Sequence, residues 1–341
     1  MTSLVFTPCY MEEDDRDENG ALVWTRHLAG SCSDNDREAL AIPAATILTV
    51  LQSGRGVDLE GVIVTGDLQL DQLAFETVVL DRIPSSLAKR AFIREKVEAI
   101  RVIHGPLRMR NVQVRGIITT NIMSRGYLLI KGPVDMSGTS FDRSVDFSRS
   151  IFLDTVNFSE AAIRHEGFFI HALFDAEANF EKTAFGTHSR FHQAIFGHPV
   201  TFTRAGFNGL AEFLEVTFQQ EAGFSRTRFT QGTGFSGSWF QGILDFSEAT
   251  FDRDVFFRFA AFDNDAYFRR TRFHGEADFT EATFHGKSDF TKVVFDVPPH
   301  ITGIEIPYNS ALVGLQDPRI QAGLFALLAV FLALVLFLRK K

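Results

Sequence analysis

Phenylalanine recurs through the second half of this chain at a rhythm that few folds can accommodate. From Phe141 onwards the aromatic positions advance by six and five residues in strict alternation, as far as Phe290 and Phe295. Ile163 is the one substitution in the series, and no insertion breaks it. The chain has 37 Phe against 4 Tyr and 2 Trp. Such a bias indicates that one structural position is filled again and again.

Neither a long helix nor a continuous strand can place these residues on one face. In an α-helix, steps of five and six residues rotate the side chain by about 140° and 240°, so the Phe residues would scatter. In a strand, a step of five residues puts successive Phe on opposite faces. The chain must therefore turn a corner every five or six residues, so that every Phe returns to one interior.

A second inward position lies two residues before each Phe, where the residue is small or β-branched. Examples are Val156, Ala178, Val200, Ala222, Ala249, Ala266, Ala277 and Ala282. The remaining positions are rich in polar residues, which suit exposed corners and an outer wall. The pattern predicts a solenoid of stacked coils.

The pattern resembles the pentapeptide-repeat family, whose unit is Ala, then Asp or Asn, then Leu or Phe, then two variable residues. The matching units are Ala178-Asn179-Phe180, Ala277-Asp278-Phe279, Val145-Asp146-Phe147 and Val156-Asn157-Phe158. The resemblance covers about 155 residues. It implies a mainly β fold, a right-handed quadrilateral β-helix with four short faces per coil. This chain departs from the family in adding a sixth residue to every second unit, so corners should bulge and face lengths should alternate.

The outward positions distinguish a four-faced coil of about 22 residues from a flat, two-sided coil of about 11. One outward position lies two residues after Phe158 and recurs every 22 residues. Its occupants are Glu160, Lys182, Arg204, Arg226, Glu248, Arg270 and Lys292. Most of these are basic, whereas the intervening set is not. The two halves of a 22-residue unit therefore carry different surfaces, which favours four faces, about seven coils and a rod of about 34 Å.

The spacing divides the chain into five segments. Residues 1–55 are predicted to be irregular with a capping helix at Ala44–Gln52, and residues 56–133 to form irregular coils with a helical insertion near 86–100. Residues 134–296 form the regular repeat. Pro298 and Pro299 end regular pairing, so residues 297–319 are predicted to be a cap and linker.

Residues 320–338 carry no charge, and Gln321 is their one clearly polar side chain. As a helix they would span about 28 Å, the thickness of a bilayer core, which predicts a single C-terminal transmembrane helix. The N-terminus does not resemble a signal peptide, so we expect the solenoid to be cytoplasmic. The positive-inside bias opposes this orientation, since Arg339, Lys340 and Lys341 follow the helix and Arg319 precedes it.

No catalytic or cofactor-binding motif is recognisable in the sequence. His188, His192 and His198 are close in sequence, but their offsets from the nearest Phe differ, so we expect them at different corners or faces instead of converging, and we predict no metal site. Cys9 and Cys32 match no metal-ligand spacing; the expectation is two ordinary thiols, with a disulfide as the open alternative.

Two outer surfaces are candidate interaction sites. A basic column of Lys182, Arg204, Arg226, Arg270 and Lys292 would favour an anion or acidic partner, unless these side chains meet Asp and Glu on a neighbouring face. An apolar ridge of Ile151, Leu173, Ile195 and Trp239, interrupted by Thr217, should point outward because each member directly precedes a central Phe. We expect the ridge to contact another protein, foremost a second copy of this chain.

The sequence favours a non-catalytic, membrane-anchored scaffold or protein-interaction module whose partner is unidentified. Two alternatives stay open. Some quinolone-resistance members of the family mimic DNA and inhibit the topoisomerase gyrase, and the net charge of −8 points weakly in that direction. An enzyme would need a site within residues 1–130. The charge offers no basic footprint for nucleic acid.

Overall fold

The computed structural model describes residues 9–16, 22–121 and 126–303. Short strands in these residues form four sheets, named faces A, B, C and D in the order in which the chain visits them in each coil, with 12, 11, 9 and 10 strands. Val156 pairs with Ala178, and Ala178 with Val200, in parallel register. The coil therefore has 22 residues and four faces, as the outward positions predicted.

The strands of each face stack in the following order. Face A contains Met11–Arg16, Leu22–Leu28, Gly56–Glu60, Leu107–Arg110, Val134–Asp135, Val156–Asn157, Ala178–Asn179, Val200–Thr201, Ala222–Gly223, Leu244–Asp245, Ala266–Tyr267 and Ser288–Asp289. Face B contains Ile42–Pro43, Ile63–Thr65, Gln113–Val114, Ser140–Phe141, Ala162–Ile163, Ala184–Phe185, Gly206–Phe207, Arg228–Phe229, Thr250–Phe251, Arg272–Phe273 and Val294–Phe295. Face C contains Leu68–Gln69, Ile118–Thr119, Val145–Asp146, Glu166–Phe168, His188–Arg190, Leu210–Glu212, Thr233–Gly234, Val255–Phe256 and Ala277–Asp278. Face D contains Phe75–Thr77, Ala99–Ile103, Leu128–Ile130, Ser150–Phe152, Leu173–Phe174, Ile195–Phe196, Thr217–Phe218, Trp239–Phe240, Ala261–Phe262 and Thr283–Phe284.

The two kinds of corner explain the alternation of five and six residues. At most of the five-residue steps the chain makes a hydrogen-bonded β-turn, as where the Phe158 carbonyl accepts from the Ala161 N–H at 3.0 Å. The third residue of this turn has a left-handed backbone, with φ of 59° at Glu160. The six-residue steps are wider bends. Tight and wide corners therefore alternate around each coil.

The Asp or Asn of the repeat unit stabilises the tight corner. The Asn157 side chain accepts from the Ser159 N–H at 3.0 Å, and the Asn179 side chain accepts from the Glu181 N–H at 2.8 Å. Each bond satisfies an N–H that the turn would otherwise leave unpaired. The polar position of the unit is thus a turn cap.

The central Phe residues stack into ladders that fill the interior. Ring centroids of successive coils lie 4.5 Å apart for Phe185 and Phe207, and 4.8 Å apart for Phe202 and Phe224. Ladders of different faces meet edge to face, as between Phe213 and Phe224 at 88°. Offset-stacked and edge-to-face packing are both favourable aromatic geometries. The core is therefore closed and filled.

Hydroxyl groups strengthen alternate coils at a buried position that follows one tight corner. The Thr227 hydroxyl donates to the Phe202 carbonyl at 2.7 Å, and the Thr271 hydroxyl donates to the Phe246 carbonyl at 2.8 Å. In the coils that alternate with these, the same position is Ala, as at Ala205 and Ala249. Since a buried hydroxyl must be hydrogen-bonded, the carbonyl of an earlier coil serves as its acceptor.

Coil stacking begins earlier in the chain than the spacing of apolar residues indicates. Leu22–Leu28 pairs in parallel with Gly56–Glu60, and Ile42–Pro43 pairs in parallel with Ile63–Thr65. Helix α1 (Asp34–Ala39) starts at a capping box formed by Ser33 and Asp36. Helix α2 (Ala44–Gln52) buries four apolar side chains over the end of the core, at the position predicted for a capping helix.

Two insertions account for the irregular coils. Helix α3 (Ser86–Glu95), with Ser85 as its N-cap, lies between Phe75–Thr77 and Ala99–Ile103. Two short 3-10 helices, Leu70–Gln72 and Leu80–Arg82, lie in the same region. Ile118 pairs with Val145, whereas Val145 pairs with Gly167, so the earlier coil is five residues longer.

Cys9 and Cys32 form a disulfide, and the expectation of two ordinary thiols was wrong. The antiparallel pairing of Met11–Arg16 with Leu22–Leu28 brings the segments that contain the two cysteines together. The Ala29 N–H donates to the Tyr10 carbonyl at 3.0 Å in the same region. The bond therefore closes the N-terminal hairpin.

Near the end of the described residues, a β-bridge joins Asp278 to His300, and the Glu281 N–H donates to the Thr302 carbonyl at 2.9 Å. The predicted transmembrane helix at residues 320–338, and most of the predicted linker, lie outside the described residues. Within the ranges that the structure describes, every helix is too short or too polar to cross a bilayer.

Candidate interaction faces

Helix α3 packs on the outer wall of face D, where the sequence predicted an apolar ridge. Ile151, Leu173 and Ile195 stack on one another at the outward position of successive strands. Ile151 and Leu173 form one apolar cluster with Ala88 and Phe92 of α3. The ridge does point away from the coils, and its first members are covered by the chain itself.

The structure therefore corrects the assignment to a second protein or a second copy for Ile151 and Leu173, which α3 covers. Ile151 is 0% exposed and Leu173 is 3% exposed, while Ile195 is partly buried at the edge of α3. The remaining member, Trp239, lies beyond α3 and is 45% exposed. Burial of the first part of the ridge is an intramolecular contact that stabilises the solenoid.

Glu95, Tyr127 and Arg149 form a polar cluster, here called the latch, that holds the C-terminal end of α3. Glu95 accepts from the Tyr127 hydroxyl at 2.7 Å and from the Arg149 guanidinium at 2.9 Å. Arg149 also lies over the Tyr127 ring, 4.4 Å from its centroid, and the Phe92 ring meets Tyr127 edge to face at 5.7 Å. Charge-assisted bonds of this kind fix orientation as well as adding stability.

The latch perturbs the titration of its own groups. Burial opposes ionisation of Glu95, but the hydrogen bonds from Tyr127 and Arg149 outweigh it and hold the pKa of Glu95 below its usual range. Burial, together with the bond to Glu95, raises the pKa of Tyr127 well above its usual value. Tyr127 therefore stays a neutral donor over the whole physiological range.

The part of face D that follows Ile195 carries exposed apolar side chains that α3 does not reach. Trp239 is on the face itself, and its indole N–H donates to Asp263 at 2.6 Å. Phe259, 66% exposed, occupies the corner that leads into face D, and Ile243, 38% exposed, occupies the corner that leaves it. These side chains flank strands whose outward residues are otherwise small.

The basic column runs along the corner between faces A and B, and most of its charges are paired. Lys182 meets Glu160 at 2.7 Å, Arg204 meets Glu181 at 3.7 Å, and Arg226 meets Glu248 at 2.9 Å. Arg270 reaches the same Glu248 at 3.3 Å. The expected preference for an anion is therefore weakened, because carboxylates of neighbouring coils already neutralise the column.

Lys292, the last member of the column, lines an open groove with Arg269 and Arg270. Ser247, Glu248 and Thr291 complete its walls, and Arg269 is paired with Asp289. Two of the three cations thus have carboxylate partners. The groove is a polar surface feature of nearly balanced charge.

Two of the three clustered histidines approach one carboxylate. His188 lies on face C and His192 at the corner that follows it, but they lie 2.6 Å and 4.0 Å from Glu212, so the expectation that they do not converge was wrong for these two. The reason is that Glu212 stands one coil further along, between the face C strand of His188 and the corner of His192. Arg190 also bonds Glu212, at 2.8 Å. Among the described residues, no group of three His, Cys, Asp or Glu side chains is arranged so that it could hold a metal ion.

A small cavity lies where the long coil meets the latch, between Arg101, Tyr127 and Arg149. Its volume is about 10 Å³, which is about the room that one water molecule requires. It is far smaller than the clefts that bind small-molecule substrates. The cavity therefore offers no room for a reaction between organic groups.

Sequence comparison agrees with the geometry of the coils. Residues 213–261 and 246–294 match the family described as pentapeptide repeats (9 copies). No curated protein matches the chain. The matched residues lie in the regular part of the solenoid, where an apolar centre and a small inward residue recur on every face. Residues 213–294 therefore carry pentapeptide repeats, and the four-faced coil that they build continues into the neighbouring described residues.

Proposed function

We propose that this protein is a non-catalytic interaction module, anchored in a membrane by its C-terminal segment, that presents its solenoid walls to a protein partner. The observation that carries the proposal is the closed Phe core, in which residues such as Phe202 and Phe224 are fully buried. Because the interior is filled, the side chains that can contact other molecules lie on the outer walls. Such surfaces are suited to contact with macromolecules.

The anchor is supported by composition, since residues 320–338 are long and apolar enough for one crossing. Expression of the full chain should place it in the membrane fraction, resistant to extraction with alkaline carbonate. A chain ending after residue 318 should be in the soluble fraction. If both fractionate alike, the anchor is excluded.

Partner capture distinguishes the candidate functions. The full chain, solubilised in detergent and cross-linked before capture, should retain a stoichiometric protein partner. Recovery of a topoisomerase would favour the DNA-mimicking alternative. Turnover of a small molecule without a retained protein would favour an enzyme with a site in residues 1–130.

The side of the membrane on which the solenoid lies remains a prediction. The sequence expectation is cytoplasmic, whereas a disulfide such as Cys9–Cys32 persists best in an oxidising compartment. Protease added to sealed, right-side-out cells should leave the solenoid intact if it is cytoplasmic. Degradation would place it on the other side, in agreement with the positive-inside bias.

A further inference from the structure

Face D is covered by α3 over only part of its length, and the same wall continues beyond the helix. The packing at the boundary is close, because a Cβ atom on Gly197 would lie 2.6 Å from the Leu87 side chain of α3. In the following coils the outward residues are Thr217, Trp239, Ala261 and Thr283. Apart from Trp239 these are small, so another helix could approach the wall as closely as α3 does.

Phe259 is exposed in a backbone conformation that does not favour it. Its φ is 56°, in the left-handed region, where Gly or Asn is the usual choice. The residue one coil earlier at this corner is Gly237. This conformation recurs at the other tight corners, and in this column the position is otherwise held by polar residues or Gly, among them Gln193, Glu215 and Glu281. An exposed aromatic side chain in such a column indicates a contact outside the folded chain.

Carboxylates flank this part of face D. Glu215 and Glu281 lie at the corner of Phe259, one on either side of it along the axis. Glu221, Asp263 and Asp265 lie at the opposite corner. Two of the nearby cationic groups already have partners, since Arg258 is paired with Asp278 and His285 with Asp263; Lys287 lies at the far end. The surroundings of Trp239 and Phe259 are therefore net negative.

Helix α3 shows what chemistry this wall accepts. Its buried side is formed by Ala88 and Phe92, and its sequence, with the residue after it, carries Lys89, Arg90, Arg94 and Lys96 against the single acid Glu95. It is a short, basic, amphipathic helix. The wall beyond it has small outward residues, exposed aromatic side chains and an acidic border, which complement a second helix of the same kind.

We propose that the uncovered part of face D, from Thr217 to Thr283, binds a basic amphipathic helix of a partner protein, with Trp239 and Phe259 as its main contacts. The proposal rests on the proposed function as an interaction module and names the surface and the chemistry of the partner. Trp is enriched among interface hot spots; Trp239 lies on face D itself, and Phe259 lies at the corner beside it. The acidic border would orient the helix and speed its association.

The test uses the full chain in detergent and a fluorescent helical peptide of about 18 residues, built from Leu, Ala and Lys with one apolar stripe. Fluorescence anisotropy should show saturable binding that weakens as salt is raised. The matched peptide with Glu in place of Lys should bind at least about tenfold more weakly, as should the Trp239→Ser, Phe259→Ser double variant with the Lys peptide.

Arg272→Ser is the matched control, because Arg272 is exposed on face B, across the coil. It should leave peptide binding unchanged, and all variants should show the same denaturation midpoint. Absence of binding, or binding that the Trp239 and Phe259 substitutions do not alter, overturns the proposal. If cross-linking still captures a stoichiometric partner in that case, the interaction function stands and this surface is wrong. If it captures none, both fail.

Discussion

At the scale of single residues, stability resides in stacked Phe side chains. Phe224 is fully buried between Phe202 and Phe246, at ring distances of 4.8 Å on both sides. Its replacement by Ala should lower the free energy of unfolding by about 3–5 kcal/mol, because burial is lost and a cavity remains. Chemical denaturation measures this change.

Phe259→Ala is the matched control, since the same side chain is removed from an exposed corner. We expect it to change the free energy of unfolding by less than about 0.5 kcal/mol. A loss below about 1 kcal/mol for Phe224→Ala would contradict the core assignment.

At the scale of elements, the docking of α3 depends on an ionised carboxylate. The pKa of Glu95 is depressed by Tyr127 and Arg149 despite burial, so the stabilisation is complete above the unfolded pKa, about 4.3. It is lost as pH falls through the lower, folded pKa. Hydrogen exchange, corrected for intrinsic rates, should therefore show weaker protection of the α3 amides at about pH 3 than at about pH 6.

Glu95→Gln should remove most of this pH dependence, because the amide cannot ionise. It should also weaken protection of α3 at neutral pH, where the charge-assisted bond with Arg149 is lost. If protection of α3 in Glu95→Gln follows pH as it does in the unmodified chain, the latch is not the titrating element.

At the scale of the whole molecule, the solenoid is a stack in which the coils, apart from α3, contact their neighbours along the axis, so its ends must be capped to keep it soluble. Helix α2 closes the N-terminal end with Ile47 fully buried. Ile47→Asp should destabilise the first coils by at least about 2 kcal/mol, because a polar group is buried without a partner. Denaturation should report the loss, and sedimentation should report association through the opened core.

Thr46→Asp is the control, since Thr46 is exposed beside Ile47 in the same helix. An acidic residue in the first turn is favourable to a helix, so the variant should remain monodisperse and at least as stable. Equal behaviour of the two variants would mean that α2 does not seal the core.

The sequence by itself determined the coil, because in a solenoid each Phe is placed by residues a few positions away. The alternation of five and six residues required corners, and the outward residues from Glu160 to Lys292 favoured four faces per coil. The position of α3 was also predictable, since helix caps and amphipathic spacing are local. Repetition made these local signals strong.

Only the tertiary structure decided what the walls contact. Helix α3 covers Ile151 and Leu173 because an insertion early in the chain folds over later coils. The spacing of residues in the sequence does not predict this contact. The partners of Arg226 and His188 likewise lie one coil away, at a separation that depends on stacking register and on side-chain direction. Sequence periodicity therefore assigns residues to inside or outside, whereas contacts between outer surfaces depend on the path of the whole chain.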